Sequence, residues 1–471
     1  MLIYDLLLGG MLLLAGLFQI GGKGKNRKRE LTFLLIVFVI LGVTSAIRYS
    51  TGIDYSYTYA PGYEQVLQNP DISLFGHHYE PGYMLLQKIV AFFSSNYQMI
   101  FVVTSLLIIG LFCICYAKYS SNVYLSVMLF LLLSEYYCTM NFIRQSIAGI
   151  IALFALEFLK KKKFLPYLMI ILVASTFHKS ALILIPFFFI NLIPLNKWVL
   201  AVYSAVTALI YFNTDKIMGL VTQYWYKGYH MESVHVQSTF EWPFALAMFV
   251  QFLIVFLGSA RLRKKDKSNY VYVNYAFFAF FAFFAFFFTL MGTRHSILDR
   301  FSIYFEFAFP LSIPLLYTCL RESFTSWWAL NGRGEGEKQE KKSAWLAAGL
   351  LTVIFCGGFA IHQYALMMDH HGVIPYRTVL NQPFYQEYLQ QLKQDEQEFE
   401  EQILTEEQEP VEQPIDEPID DEPIEEPSIQ QDEQSLSEKQ EQQNSSDTSS
   451  QVTEEIPSEI PEGMPVEVFL E

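Results

Sequence analysis

The sequence predicts an all-α, polytopic integral membrane protein with about twelve transmembrane helices and a separate acidic tail. Three observations predict it. The 471 residues are 52% hydrophobic and only 17% charged, with 42 Phe and 29 Tyr, and an aqueous domain of this size needs far more charge on its exterior. Apolar runs of roughly the twenty residues that a helix needs to cross a bilayer recur along the chain. The charge is also segregated: from Lys393 to Glu471 there are 27 acidic residues against two lysines, so the net −15 divides into −25 for the tail and +10 for residues 1–392.

The apolar runs lie near 2–20, 31–47, 98–117, 123–139, 142–159, 164–177, 180–194, 198–213, 242–260, 270–291, 301–320 and 343–362. The first lacks a basic region before it and a small-residue cleavage site after it, so it reads as a retained span. The basic clusters KGKNRKR (23–29), KKKK (160–163), RLRKKDK (261–267) and EKQEKK (337–342) fall on one side when the runs are threaded in order. Short cytoplasmic loops hold the excess of Lys and Arg. That side is therefore expected to be the cytoplasm, with both termini outside. The segment PGYMLLQKIVAFF (81–93) breaks the count unless it lies in the interface, and it is read as an interfacial helix.

Two domains are expected, a membrane body over 1–380 and a low-complexity tail over 381–471. The repeating PIDEPIDDEPIEEP (414–427) and its Glu/Gln/Ser-rich surroundings have too little apolar surface to offset the entropy of ordering. The tail reads as disordered. Five cysteines sit in or at the ends of apolar runs without paired spacing, which suggests neither a disulfide framework nor a zinc site. No P-loop, dinucleotide fingerprint, zinc-protease or serine-hydrolase motif occurs, and no metal, cofactor or nucleic-acid partner is expected.

Polar residues instead gather at the ends of the runs opposite the basic clusters: Arg48, Asp54, Glu80, Arg144, His178, Arg294, His295, Asp299, Arg300 and Arg377. Arg144, in NFIRQSIAGIIALF (141–154), lies one turn inside a run, where a charge needs a partner or water. It either snorkels to the headgroups or points its fork into a cavity suited to phosphate or carboxylate. His178, in STFHKSAL (175–182), is at a tight turn beside Lys179. It reads as a helix-capping residue, a diphosphate donor or a proton shuttle. Glu80, in HHYEPGY (77–83), precedes a Pro-Gly bend with Tyr79 and Tyr83 on either side. That setting fits a loop with interfacial tyrosines or a carboxylate between rings that hold a sugar.

Taken in order, Arg48-x-x-x-Gly52-x-Asp54-Tyr55, Glu80-Pro81-Gly82-Tyr83, Arg144-Gln145 on a span, Phe177-His178-x-Ser180-Ala181, Arg300 at a late span and Pro375-Tyr376 after the last one resemble the EpsG family of Wzy-type bacterial polysaccharide polymerases. The resemblance covers about residues 1–380; the acidic tail and the insertion at 321–342 depart from it. It implies a GT-C-like, Wzy-like membrane glycosyltransferase that joins oligosaccharide repeat units carried on undecaprenyl diphosphate, at the outer face of the bacterial cytoplasmic membrane. The growing polysaccharide, a flippase and a chain-length regulator are the implied partners. Arg48, Arg144, Arg300 and His178 would then face the leaving diphosphate. Asp54 or Glu80 would act as the base on the acceptor hydroxyl, Asp54 being preferred. Tyr55, Tyr83, Gln145, Lys179 and Tyr376 would contact diphosphate or sugar. The competing readings are a flippase or exporter of the same lipid-linked sugar and a membrane acyltransferase with His178 as base.

Overall fold

A computed structural model describes residues 1–20, 26–75, 79–193, 196–214, 216, 300–331, 336–369 and 371–380. The expected spans 242–260 and 270–291, the clusters around 23–25 and 261–267, the residues Arg294, His295 and Asp299, and the tail beyond 380 lie outside them. The described residues belong to one compact unit, Met1–Gln386, are mostly helical and contain no β-strand.

Helices occupy the expected runs from 2–20 to 198–213. They are α1 (Leu2–Ile20), α2 (Arg27–Ala46), α3 (Ala60–Gln68), α4 (Pro81–Phe93), α5 (Gln98–Tyr119), α6 (Val123–Leu132), α7 (Glu135–Asn141), α8 (Ile143–Lys160), α9 (Phe164–Ser175), α10 (Leu184–Ile190) and α11 (Lys197–Phe212). After the undescribed stretch come α12 (Ile303–Glu306), α13 (Phe309–Asn331) and α14 (Gly336–Met367). By length and composition four of these can cross a membrane: α1, α2, α5 and the Ala348–Met367 portion of α14. The bent pair α6 and α7 makes a fifth if it is one span.

Local chemistry sets the boundaries. Asn26 and Asn122 cap α2 and α6, their side-chain oxygens accepting the amides of Arg29 and Leu125, which satisfies donors the first turn would leave orphaned. The run expected as a single span over 123–139 is broken at Ser134, which adopts φ 64, a left-handed conformation that a continuous right-handed helix cannot contain. The chain bends by 59° there. Between Val123 and Asn141 every residue except Tyr124 and Leu133 is buried, so α6 and α7 form the inner post of the body.

α2, α5 and α8 pack side by side around that post, and polar contacts define its two ends. At one end Arg27 donates to the Ala117 carbonyl (2.6 Å), while Lys118 and Lys161 both pair with Glu157. The basic residues of three helices therefore share an end. At the other end the Gln98 amide, at the start of α5, donates to the carbonyls of Ala46 and Arg48 at the finish of α2, each at 2.9 Å. The segment after α14 returns to this same end: the Tyr49 amide bonds Arg377 O (2.9 Å), Val379 N bonds Ile47 O (3.0 Å) and Gly52 N bonds Gly372 O (2.7 Å). Gly52 has φ +100, and a Cβ there would meet the Met140 carbonyl at 2.9 Å, so this turn requires glycine.

Candidate active site

At the end away from the basic residues, α4 begins with Glu80-Pro81-Gly82. Proline suits the first helical position because its missing N–H would be unpaired there in any case. Glu80 precedes it in extended backbone (φ −68, ψ 150) and makes no side-chain bond to its own helix, although a carboxylate at that position commonly caps. Its two oxygens go elsewhere. Oε2 lies 2.8 Å from Arg144 Nη1 in the first turn of α8, and Oε1 lies 3.0 Å from His178 Nδ1 and accepts the Lys179 amide at 3.1 Å. One carboxylate thus joins residues 64 and 98 positions further along the chain.

Gly82 makes the approach possible. Its amide donates to Thr176 O at 2.7 Å, and a Cβ would sit 2.4 Å from Thr176 Oγ1. The first turn of α4 is therefore pressed against the end of α9, two residues before His178. Only glycine allows that distance. His178 is itself in extended backbone between α9 and a 3-10 turn over Lys179–Ile183, with its side chain about a quarter exposed (26%), against 13% for Arg144 and 6% for Glu80.

Burial opposes charge on Glu80. The hydrogen bond from His178, the positive charges of Arg144 and His178 and the Lys179 amide together outweigh it, and the carboxyl is held down at about 2. Glu80 is accordingly ionised at neutral pH, and an ionised carboxylate only accepts. The shared hydrogen therefore belongs to His178 Nδ1, which in the neutral ring leaves the Nε2 lone pair available. Arg144 is also covered by aromatic rings. Its guanidinium carbon stands 5.1 Å from the Tyr79 ring centroid, a cation–π distance, and its amide donates to the Tyr59 hydroxyl at 3.4 Å. Its Nε is buried and has no hydrogen-bond partner among the described residues.

The other expected site residues surround this cluster in different ways. Gln145 donates through Nε2 to the Arg300 carbonyl, and the Arg300 guanidinium lies 5.2 Å over the Phe142 ring. Tyr83 is fully buried between Tyr59 and Tyr79, its hydroxyl without a partner among the described residues. Asp54 donates its amide to Asn141 Oδ1 (2.9 Å), and its charge acts on Tyr59 and Tyr79. Three expected substrate contacts hydrogen-bond within the protein, although the Arg48 Nε is buried with no partner among the described residues. Arg48, 1% exposed, donates to Ser45 O, Ser45 Oγ (3.0 Å), Ser105 Oγ (2.7 Å) and Met140 O (3.3 Å). Tyr55 donates to Gln98 Oε1 and stacks on Phe101, centroids 3.8 Å apart. The Tyr376 hydroxyl bonds Thr44 O at 2.6 Å. Arg48 in particular ties the end of α2 to α5 and to the carbonyl three residues before Ile143, where α8 starts.

The EpsG family model matches residues 31–327. The chain belongs to the EpsG family. No curated protein and no solved structure matches it. The EpsG match contains Arg48, Asp54, Glu80, Arg144, His178 and Arg300, whereas Tyr376 lies beyond it. Membership agrees with the helical body and its membrane-length apolar helices, and it brings a polysaccharide-polymerase type of function in a membrane.

Two further residues, one beside Arg144 and one at the corner of α2 and α5, carry signals of their own in the sequence. Tyr59 stands four residues from both Tyr55 and Tyr63, a helical spacing, and all three are buried. Gln98 is a polar residue at the head of an otherwise apolar run, where an amide has reason to serve neighbouring helix ends.

Proposed function

We propose that this EpsG protein is a glycosyltransferase that polymerises oligosaccharide units carried on undecaprenyl diphosphate, with Arg144 and His178 as catalytic groups and Glu80 as the residue that positions both. The observation that carries the proposal is the Glu80 carboxylate shared between Arg144 and His178. In the reaction an acceptor sugar hydroxyl attacks the anomeric carbon of the donor. The new C–O bond forms as the bond to the lipid diphosphate breaks, and the bonding pair leaves on the diphosphate. His178 Nε2 takes the hydroxyl proton, and Glu80 stabilises the resulting imidazolium through Nδ1, as a carboxylate does for a catalytic histidine elsewhere. Arg144 supplies positive charge to the leaving diphosphate.

A carboxyl held at about 2 is a poor proton acceptor near neutrality, which favours His178 over Glu80 as the base. Asp54, its amide on Asn141 Oδ1, is assigned to the acceptor sugar. Arg48, with both Nη groups bonded to backbone and serine oxygens, acts through the placement of α8, and Tyr55 and Tyr376 brace the same corner. Lys179 gives its amide to Glu80, and Gln145 ties the Arg300 carbonyl to α8 beside Arg144. The orientation with this cluster outside the cytoplasmic membrane is supported by the gathering of Arg27, Lys118 and Lys161 at the opposite end.

The test uses the full chain in nanodiscs supplied with a diphosphate-lipid-linked oligosaccharide. Polymerisation yields a product ladder together with free lipid diphosphate, one per bond formed. His178→Ala should yield neither. A wild-type protein that moves the substrate between leaflets of a vesicle but releases no lipid diphosphate would replace this reading with the exporter.

A further inference from the structure

α4 is apolar on two opposite faces. Its face toward the protein carries Tyr83, Met84, Gln87 and Val90, all buried. The opposite face carries Leu85 (47% exposed), Ile89 (49%), Phe92 (84%) and Phe93 (80%), spaced so that they fall on one stripe of a helix. A helix bathed in water on that side would not present two adjacent, almost fully exposed phenylalanines. Nor can α4 cross a bilayer: its 13 residues reach roughly 20 Å, against a hydrocarbon core of ~30 Å.

What covers the stripe follows from the chain on either side. Only Ser94–Tyr97 separate Phe93 from Gln98, where membrane-length α5 begins, and four residues span at most about 14 Å. Gln98 also holds the end of membrane-length α2 through the Ala46 and Arg48 carbonyls. Two apolar helices therefore end together at the level of the α4 C-terminus, and that level is fixed by the Tyr63 hydroxyl on Ser94 O (2.7 Å).

We infer that α4 lies along the bilayer surface with its Leu85, Ile89, Phe92 and Phe93 stripe among phospholipid acyl chains, and that this contact sets the depth of Glu80 at its other end. The lipid contact stands on geometry alone. Its consequence rests on the function proposed above: a helix lying in the interface keeps the Glu80–Arg144–His178 cluster at headgroup depth, where the diphosphate of a lipid-linked sugar resides.

Spin labels placed singly at Leu85→Cys, Ile89→Cys, Phe92→Cys and Phe93→Cys, in a Cys356→Ser background that removes the exposed native thiol, report the surroundings of each position in phospholipid nanodiscs. Oxygen collisions should exceed those of a water-soluble nickel chelate at all four sites, at one shallow depth of about 5–10 Å below the headgroups. Chelate-dominated collisions would place the stripe in water and overturn the inference. So would a depth that increases steadily from Leu85 to Phe93, the signature of a steeply inserted helix, or spin–spin broadening relieved by unlabelled protein, the signature of a second copy. A photoreactive benzoyl-phenylalanine at Phe92 in the otherwise native chain gives an independent reading. Phospholipid adducts support the inference; adducts to another copy, or none, refute it. Both measurements read lipid and not chemistry, so a failed polymerisation assay leaves them unaffected.

Discussion

Replacing Glu80 by Gln tests the cluster most directly, because the side chain keeps its shape and loses its charge. Three donors converge on the carboxylate, Arg144 Nη1 on Oε2 and both His178 Nδ1 and the Lys179 amide on Oε1. A carboxamide offers only one oxygen. If that oxygen stays with His178 and Lys179, the new NH2 faces the Arg144 guanidinium donor to donor. A nearly buried cation then loses its counter-charge, at a cost of about 3–5 kcal/mol. If the amide turns the other way, its NH2 forces His178 into the tautomer with Nδ1 as acceptor, and Nε2 can no longer take a proton. Loss of a positioned base slows transfer by about 100- to 10,000-fold. Glu80→Gln should therefore lower both thermal stability and the rate of lipid diphosphate release in the nanodisc assay, whichever rotamer it adopts. The stability difference also has a pH signature. The folded-state carboxyl lies near 2, below its ordinary 4.5, so its stabilising effect is complete above about pH 4.5 and is lost as the pH falls toward 2. The gap between wild type and Glu80→Gln should close as the pH falls from about 4.5 toward 2. A Glu80→Gln protein with wild-type rate and melting behaviour, or a gap that opens only on acidification, would refute the reasoning.

Other substitutions separate chemistry from support. Arg144→Lys keeps a charge without the fork and should slow polymerisation by about 100-fold or more at normal membrane levels, with single lipid-linked units accumulating in cells. Arg48→Lys should instead reduce the amount of folded protein, since a single ammonium cannot serve oxygens on Ser45, Ser105 and Met140 together; quantitative immunoblotting of membranes checks this. Gly82→Ala drives a methyl into Thr176 and should cost about 1–3 kcal/mol of stability while displacing His178 from Glu80, which would appear as a rate loss not restored by raising substrate.

Much of the body is legible in the sequence because a bilayer demands about twenty apolar residues in a row, and 2–20, 31–47 and 98–117 supply them with basic residues at one end. The break at Ser134 is less legible. It depends on a positive φ at a residue that is not glycine, and the only trace is the polar pair Ser134-Glu135 within an apolar run. The same limit applies to the site. Arg144, His178 and Glu80 each stand out as polar residues at one depth, but their convergence is a property of how α4, α8 and α9 pack. On sequence grounds Asp54 is preferred to Glu80 as the base, and nothing in local spacing reveals which carboxylate the distant Arg144 and His178 share. Arg48 shows the converse. An arginine at the end of an apolar run reads as a ligand for anions until its neighbours are known, and here they are serine hydroxyls and main-chain oxygens.

The buried post formed by α6 and α7 has a consequence for how the protein meets membranes of different thickness. The helices with broad exposed apolar faces are the outer ones: Leu6, Leu13 and Leu17 on α1, Leu35 and Val39 on α2, Val353 and Phe359 on α14. Those surfaces must tilt or strain when the hydrocarbon core thickens or thins, at fractions of a kcal/mol per ångström of mismatch. The post touches almost no lipid, and Asn141 at its end fixes the Asp54 amide just before Arg144. Hydrophobic mismatch is thus absorbed at the perimeter, while the placement of Asp54 beside the start of α8 is referenced to an axis the bilayer barely reaches.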